Sequence, residues 1–356
     1  MNDRTLLAES RRNPISGSVS IISTGREKPM EKLRRVHPRD WGQTNEKLVS
    51  GETCPFCVGH EGMTPPEIKA VRTANSHPDQ PGWSVRVVPN LGPAVDSAFP
   101  GILLEERAVG QYMVSEGFGF HYVVINTNDH RIHMSDVEKA NMHDVVQMWR
   151  DMTNLAAADR SVKYVSVFEN YGPLAGMSIP HPHSQIIGTG FIPPRILREL
   201  RGTSRFYEEN QECFYCREIE DEIKIGKRII AKTAHFVAWS QFASKTPYQT
   251  VISPIAHQSY FANISTNPSV NYLAEFADLL QDVQKRIKVV LNDPDYNLYI
   301  HTAPANQPEM PHYHWHCHIE PVTNAIQAGF EKGFQIFLNP RSPESAAVDL
   351  RNAIVT

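Results

Sequence analysis

Three groups of residues in this chain have types and spacings that could do chemistry. The first is SIPHPHSQIIG (178–188), where His181 and His183 flank Pro182 and Gln185 follows two residues later. A neutral imidazole is nucleophilic near pH 7, so a histidine held rigid here could attack an electrophile. The second group is two Cys-x-x-Cys pairs, CPFC (54–57) and CFYC (213–216), which account for four of the five cysteines; the fifth is Cys317. In a long chain such pairs more often mean metal or redox chemistry than structural disulfides. The third is HYHWHCHIEP (312–321), the densest stretch among sixteen histidines. Cysteine pairs together with clustered histidines point to zinc.

The 356 residues suffice for one large domain or two of about 150–200 residues each, with ample chain for a buried core. The net charge of −4 argues against a nucleic-acid partner, which is usually met by a basic surface. No stretch approaches the roughly 20 apolar residues needed to cross a bilayer. MNDRTLLAESRRNP lacks an apolar h-region, so the expectation is a cytoplasmic protein without a membrane partner.

One order of elements occurs twice. In the first pass CPFC is followed by the β-type runs VRVVPN (85–90) and HYVVINTNDH (121–130). A helix opened by Ser135, with Glu138 three residues on as a capping box, is expected next, then the strand YVSVFEN (164–170), a loop with two glycines, and HPHSQIIG. In the second pass CFYC is followed by RIIAKTAHFVAWS and YQTVISPIAH, a long helix around 268–292, the strand YNLYIHT, and HYHWHCHIEP. Leu273, Phe276, Leu279, Leu280, Val283 and Ile287 recur at three and four residues, as an amphipathic helix requires. The reading is a duplicated α+β chain, with the boundary near 200–212 and units of 1–205 and 206–356. The repeat then selects two Cys₂His₂ sets for structural zinc, one to two ions per chain: Cys54, Cys57, His130 and His181, and Cys213, Cys216, His257 and His314. Neither pair sits at a strand-to-helix junction in a βαβ pattern, which speaks against thioredoxin-like redox activity.

FENYGPLAGMSIPHPHSQ (168–185) resembles the active-site segment of the galactose-1-phosphate uridylyltransferases, members of the histidine-triad superfamily. RRNPISG, CPFCVGHEGMTPPE, VRVVPNLGPA, NTNDH, HTAPAN and HWHCHIEPVTNAIQAGFEKG extend the resemblance, in order, over nearly the whole chain. It implies an α+β fold of duplicated histidine-triad-type units, each an antiparallel sheet with a packed helix, usually in a homodimer. It implies that His183 attacks the α-phosphorus of a nucleotide sugar, that sugar 1-phosphate leaves, and that a second sugar 1-phosphate collects the nucleotidyl group, UMP in kind. Covalent catalysis of this sort splits one difficult displacement into two easier ones. Pro182 restricts the backbone between the two histidines. Gln185 shares a strand face with His183 and its amide can donate to a phosphoryl oxygen. Ser178 and Asn170 match phosphate-contacting positions, and Gly172 and Gly176 would let the backbone approach. Asn90 matches a nucleotide-contacting position; Glu331, in AGFEKG, matches a glutamate that holds sugar hydroxyls, and Asn339 is grouped with it.

The chain departs from the family pattern in three places. STGREKPM stands where two arginines are usual, so Arg26 and Lys28 are the candidates for the phosphate role. Leu91 follows Asn90 where some members carry an acid, and GFEKGFQIFLNPRSPE replaces G-F-E-x-G-T-G-x-x-I-N-P. HWHCHIE is a full histidine triad, and repeat alignment sets His316 where His183 stands in the first half, as a substrate-binding residue or a second nucleophile. Some members hold a second metal through a glutamate and three histidines, matched here by Glu199, His301, His316 and His318; the cysteine set is the preferred one. The competing functions are adenylyl transfer from an ADP-sugar to inorganic phosphate, as in ADP-glucose phosphorylase relatives, a dinucleotide hydrolase, and a zinc-stabilised binding module.

Overall fold

A computed structural model describes residues 9–22, 24, 50–97, 107–114, 117–130, 133–266, 269, 271–323 and 329–355. Its strands are β1 (Glu9–Arg12), β2 (Val19–Ile22), β3 (Lys69–Arg72), β4 (Trp83–Pro89), β5 (Arg107–Val109), β6 (Tyr112–Val114), β7 (Gly119–Ile125), β8 (Tyr164–Tyr171) and β9 (His183–Thr189). The second half adds β10 (Ile229–Lys232), β11 (Phe236–Ser240), β12 (Thr250–Pro254), β13 (Tyr296–His301), β14 (His316–Pro321) and β15 (Ile336–Asn339). The helices are α1 (Lys139–Ala157), α2 (Pro194–Asn210), α3 (Phe214–Ile225), α4 (Tyr272–Leu291), α5 (Gly329–Phe334) and α6 (Pro343–Arg351). None of the described helices is long and apolar enough to cross a membrane.

Ten strands form one sheet in the order β10-β11-β12-β14-β13-β8-β9-β7-β4-β3. Read inward from its two edges, the sheet runs β3-β4-β7-β9-β8 and β10-β11-β12-β14-β13, so the same order occurs twice. The fold is therefore α+β, with two antiparallel units joined through the β8–β13 pair, where Asn170 faces Asn297 and Val167 faces Ile300. β1, β2 and β15 make a second, small sheet in which β2 and β15 run parallel. The boundary expected between residues 205 and 206 falls inside α2.

The alternation of side chains along the strands divides the large sheet into two faces. Val124, Val165, Val167 and Ile186 of the first half and Ile252, Leu298, Ile300, Cys317 and Ile319 of the second join one core beneath α1 and α4. In α1 the buried Met142, Val145, Val146, Trp149, Met152 and Ala156 recur at three and four residues, and in α4 Leu273, Phe276, Ala277, Leu280, Val283 and Ile287 do the same. The helix starts differ from expectation. Ser135 lies in a 3₁₀ turn, Met134–Asp136, whose cap is the ring of His133, and α1 begins only after Glu138. α4 starts at Tyr272, with Asn271 accepting from the Ala274 N–H as its cap.

The face covered by helices also carries a buried polar chain that fastens β9. Trp149 Nε1 donates to Ser184 Oγ at 2.6 Å, and Ser184 Oγ donates to Asn126 Oδ1 at 2.8 Å. Asn126 Nδ2 donates to Glu169 Oε2 at 3.1 Å, and Tyr296 Oη donates to Glu169 Oε1 at 2.6 Å. Every member is satisfied, which is what makes a buried network rigid rather than costly. Ser184 thus holds the strand from below, between His183 and Gln185, which point to the opposite face.

Candidate active site

The opposite face of the sheet, covered in part by the Cys54–Phe56 segment and by α3, collects the residues with chemistry. His183 opens β9, and Gln185 follows on the same side. The His183 Nδ1 lies 2.7 Å from the His181 carbonyl, which can only accept, so Nδ1 carries the proton and Nε2 keeps its lone pair. Burial pushes the His183 pKa below the ordinary histidine value. The imidazole is therefore neutral near pH 7, the state a nucleophile needs. Asn170 stands beside it on β8, where its Oδ1 accepts from Asn297 Nδ2 at 2.8 Å. Ser178 is exposed on the loop between them.

That loop has two glycines with positive φ, Gly172 at +85° and Gly176 at +89°. At Gly176 the space a side chain would fill is open, with Asn170 Nδ2 the nearest atom at 3.8 Å. At Gly172 it is not: a Cβ would stand 2.1–2.5 Å from the Asp295 carboxylate, which accepts from the Leu174 N–H at 2.7 Å. The expectation of close phosphate approach at both glycines is therefore corrected for Gly172, whose missing side chain admits Asp295 from the second half.

The two Cys₂His₂ sets are assembled as expected, each with its ligand atoms within 4.8 Å of one another. In the first, Cys57 Sγ lies 3.3 Å from His130 Nδ1, both sulfurs lie 3.7 Å from His181 Nδ1, and the two Nδ1 atoms are 3.2 Å apart. Ordinary zinc bond lengths put nitrogen–nitrogen and nitrogen–sulfur edges of a tetrahedron at about 3.3 and 3.6 Å, so this donor set fits such an ion. His181 Nε2 donates to the Thr127 carbonyl at 2.8 Å, which aims Nδ1 at the sulfurs. Burial raises the Cys54 thiol to about 12, so the pair stays neutral unless a cation draws off its protons. In the second set Cys216 Sγ lies 3.4 Å from His257 Nδ1 and 3.5 Å from His314 Nδ1. Cys213 stands at the N-terminus of α3, after α2.

Each clamp also reaches the histidine two residues beyond its own. Phe56, third in CPFC, meets His183 edge-on with ring centres 5.2 Å apart. Tyr215, third in CFYC, lies 4.7 Å from His316. His316 Nδ1 makes the same backbone contact as its counterpart, 3.0 Å to the His314 carbonyl. The neighbours differ: Tyr299, paired with His318, occupies the repeat position of Phe168, and His301, paired with His316, that of Asn170. His301, His316 and His318 form a third group able to hold a metal. Glu199 joins them, with Oε2 3.0 Å from His301 Nδ1 and 4.0 Å from His316 Nε2. Both nitrogens of His318 are buried without a hydrogen-bond partner, as a ligand awaiting a cation would be. The preference for the cysteine set over this one is thus not a choice the protein makes, since the fold brings both together.

Other candidates separate. His316, His318, Glu199 and Glu331 line one cavity of about 600 Å³ with Arg195 and Lys245, and His183 is not among its walls. The register explains this. Extended by one pair, the β8–β9 ladder sets His183 against Asn170, which aligns through Asn297 with Glu320, four residues along β14 from His316. Three strand spacings and four residues of rise put the two histidines roughly 20 Å apart. Asn339 is fully buried, and its amide donates to the Ser244 carbonyl, Ser244 Oγ and the Thr246 carbonyl. It fastens β15 and has no donor left for a sugar. Arg26 and Lys28 lie outside the described residues. Asn90, at the end of β4, lies against His121, a residue the motifs did not single out; its Nδ2 is 3.1 Å from the His121 Nε2. The signal was present, since His121 falls on the alternating face of HYVVIN that Gln185 also occupies.

A duplicated antiparallel sheet, with a neutral histidine and a glutamine on the face away from the long helices and a cysteine clamp against each half, defines a histidine-triad-type transferase. The family model described as galactose-1-phosphate uridyl transferase, N-terminal domain, matches residues 2–193, and the histidine-triad domain model matches 222–319. The chain belongs to the galactose-1-phosphate uridyl transferase family and is an enzyme of nucleotidyl transfer. It is 32% identical to the ADP-glucose phosphorylase of Arabidopsis thaliana over 351 residues, covering 98% of this chain and 93% of that one. It is 29% identical to the galactose-1-phosphate uridylyltransferase of Thermotoga maritima, covering 98% and 99%. The crystal structure of the Arabidopsis thaliana phosphorylase with bound ADP-glucose matches with a TM-score of 0.78 at 29% identity, over 98% of this chain and all of that one.

Proposed function

We propose that the enzyme moves a nucleoside monophosphate from a nucleotide sugar to a hexose 1-phosphate through a covalent nucleotidyl-His183. The carrying observation is the His183 tautomer: its Nδ1–H is spent on the His181 carbonyl, and Nε2 is left as a nucleophile. Nε2 attacks the α-phosphorus, and the bond to the bridging oxygen breaks with its electron pair leaving on sugar 1-phosphate. A phosphate oxygen of the acceptor then attacks the same phosphorus, and the P–N pair returns to Nε2. Gln185 donates to a nonbridging oxygen where negative charge is held in both steps. Asn170 and Ser178 contact the phosphates, Asn90 the nucleoside, and Arg26 or Lys28 the outer phosphate charge.

The likeness to a phosphorylase over nearly both full lengths favours a second reading, in which an ADP-sugar is the donor and inorganic phosphate the acceptor. Incubation with labelled UDP-glucose and ADP-glucose decides between them. Acid-labile label on the His183 peptide identifies the donor, and its release by galactose 1-phosphate or by phosphate identifies the acceptor. Label on the His316 peptide instead would overturn the assignment of the nucleophile.

The two Cys₂His₂ sets are read as structural zinc sites, supported by their donor types and edge lengths. When bound there, zinc ties each cysteine loop to the strand that carries the reactive histidine. Thiols in this arrangement suit a reducing, cytoplasmic setting. We also read the working form as a homodimer. Glu331 reaches a sugar held at His183 only from a second copy, because within one chain it belongs to the His316 cavity. The units 1–205 and 206–356 then divide the labour, the first supplying the nucleophile and the second the sugar contacts.

A further inference from the structure

We propose that His121 is a positioning residue that fixes which end of the Gln185 amide faces the phosphoryl group. The proposal rests on the reading of Gln185 given above and adds how its orientation is enforced. A glutamine carboxamide is nearly symmetric in shape, yet its two ends are opposite in charge. With NH₂ toward the phosphoryl oxygens it stabilises them; turned over, it sets a carbonyl oxygen against them. Something must therefore hold it one way round.

His121 does this through a chain of bonds that runs from the loop after β4, across β7, to β9. The Ala94 backbone N–H donates to His121 Nδ1 at 3.1 Å. A backbone N–H can only donate, so Nδ1 is bare and the proton of the neutral ring sits on Nε2. Nε2 lies 2.8 Å from Gln185 Oε1. The ring donates there, Oε1 accepts, and the amide NH₂ is turned away from the ring. Asn90 Nδ2 also lies 3.1 Å from Nε2; Asn90 Oδ1 is engaged by the Gly92 N–H at 2.9 Å, and the Ala94 donor decides the tautomer in favour of Gln185. The register supplies the reach: His121 faces Ile187 and Val123 faces Gln185, so His121 and Gln185 are diagonal neighbours on one face of the β7–β9 ladder. Burial lowers the His121 pKa, which keeps the ring in the neutral form that the Ala94 contact demands.

The test is a double-mutant cycle with the full chain, using His121→Ala, Gln185→Ala and the pair, read by single-turnover labelling and by kcat and KM. Loss of one oxyanion donor typically slows chemistry about 10²–10³-fold. His121→Ala should lower kcat about 10- to 100-fold with KM changed less than about threefold, and the pair should be no slower than Gln185→Ala alone. His121→Gln, which keeps a donor near the Nε2 position, should recover most of the rate; His121→Asn, too short to reach, should not. These two polar variants carry the test if alanine fails to fold. Multiplying losses in the pair, or a raised KM at unchanged kcat, would overturn the role of His121 while leaving that of Gln185 intact. A Gln185→Ala enzyme as fast as the parent would instead remove Gln185 from the chemistry, and the proposal with it.

Discussion

The two halves use the same histidine device for different ends. His183 and His316 both spend Nδ1 on the carbonyl two residues back, and both stand against the aromatic residue of a cysteine clamp. What separates them is the next residue on the face. His183 has Gln185, a donor that carries no charge; His316 has His318, buried with both ring nitrogens unpartnered, and His301, bonded to Glu199. A carboxylate 4.0 Å from His316 Nε2 repels the phosphoryl oxygens that attack would bring near. Replacement of His183 by Gly should therefore abolish transfer by at least about 10⁴-fold, as loss of a covalent nucleophile does, with metal content and circular dichroism unchanged. Added imidazole should restore part of the turnover by filling the vacated space. His316→Gly should cost a much smaller factor; equal losses in the two variants would sink the distinction.

At the scale of elements, β8 is fastened by a group with an unusual proton affinity. Glu169 is buried under the sheet and its pKa is raised to about 7, because burial outweighs the bonds from Tyr296 and Asn126. A carboxyl that ionises near 4.3 when unfolded and near 7 when folded favours folding below the lower value and loses that contribution as pH rises through the upper one. Glu169→Gln keeps the shape and removes the proton. Between pH 5 and 7 the parent should lose stability relative to this variant by at most about 1.4 kcal/mol per pH unit, measured by urea unfolding; parallel curves would show that Glu169 is ionised in the folded state throughout. Gly172→Ala should cost more abruptly, since the new methyl would meet the Asp295 carboxylate and the backbone has φ near +85°. A loss of about 2 kcal/mol or more with slower transfer is expected, whereas Gly176→Ala meets open space and only the backbone penalty.

Much of this was legible in the residues, and the exceptions have physical causes. The recurring cysteine pairs and histidines gave both Cys₂His₂ sets because metal ligands must be of few types, and the apolar β-type runs marked β4, β7, β8 and β13. The capping box at Ser135 and Glu138 was misread because His133 competes for the same backbone N–H and closes a 3₁₀ turn first. α2 and α3 went unmarked because most of their residues are charged or polar; α2 buries only Ile196, Glu199 and Thr203. His121 and Asn339 show the limit in opposite directions. One is a polar residue whose partner lies 64 positions away, the other a polar residue whose amide hydrogens go to a loop 93 and 95 positions away. The first shows locally only as strand alternation, and the second has no local pattern at all.

For the whole molecule, the sheet that unites the halves also keeps their chemistry apart, and this gives a direct test of the proposed homodimer. A chain with His183→Gly and a chain with Glu331→Ala should each form a defective homodimer. Co-expressed, they should form mixed dimers with one intact site, recovering up to about half of the parental activity per dimer; no recovery would mean that Glu331 serves the His183 of its own chain, and a fully active Glu331→Ala homodimer that it serves neither. Cys54→Ala should lower stability by about 4 kcal/mol or more, as loss of a structural ion does, with one fewer zinc per chain on metal analysis.

The small sheet has a consequence for how the protein is made. Val19–Ile22 finds its parallel partner in Ile336–Asn339, and the Ser20 hydroxyl donates to the Ala243 carbonyl at 2.9 Å. At the usual 5–20 residues per second of synthesis, the ribosome delivers that partner roughly 15–60 s after β2 itself. Throughout that interval the β1–β2 hairpin is a ladder with an open edge, of the kind that invites foreign strands. Its shortness, four residues a side with arginine at positions 11 and 12, is then a safeguard during translation, since the edge of β2 can close only after residues 336–339 have been made.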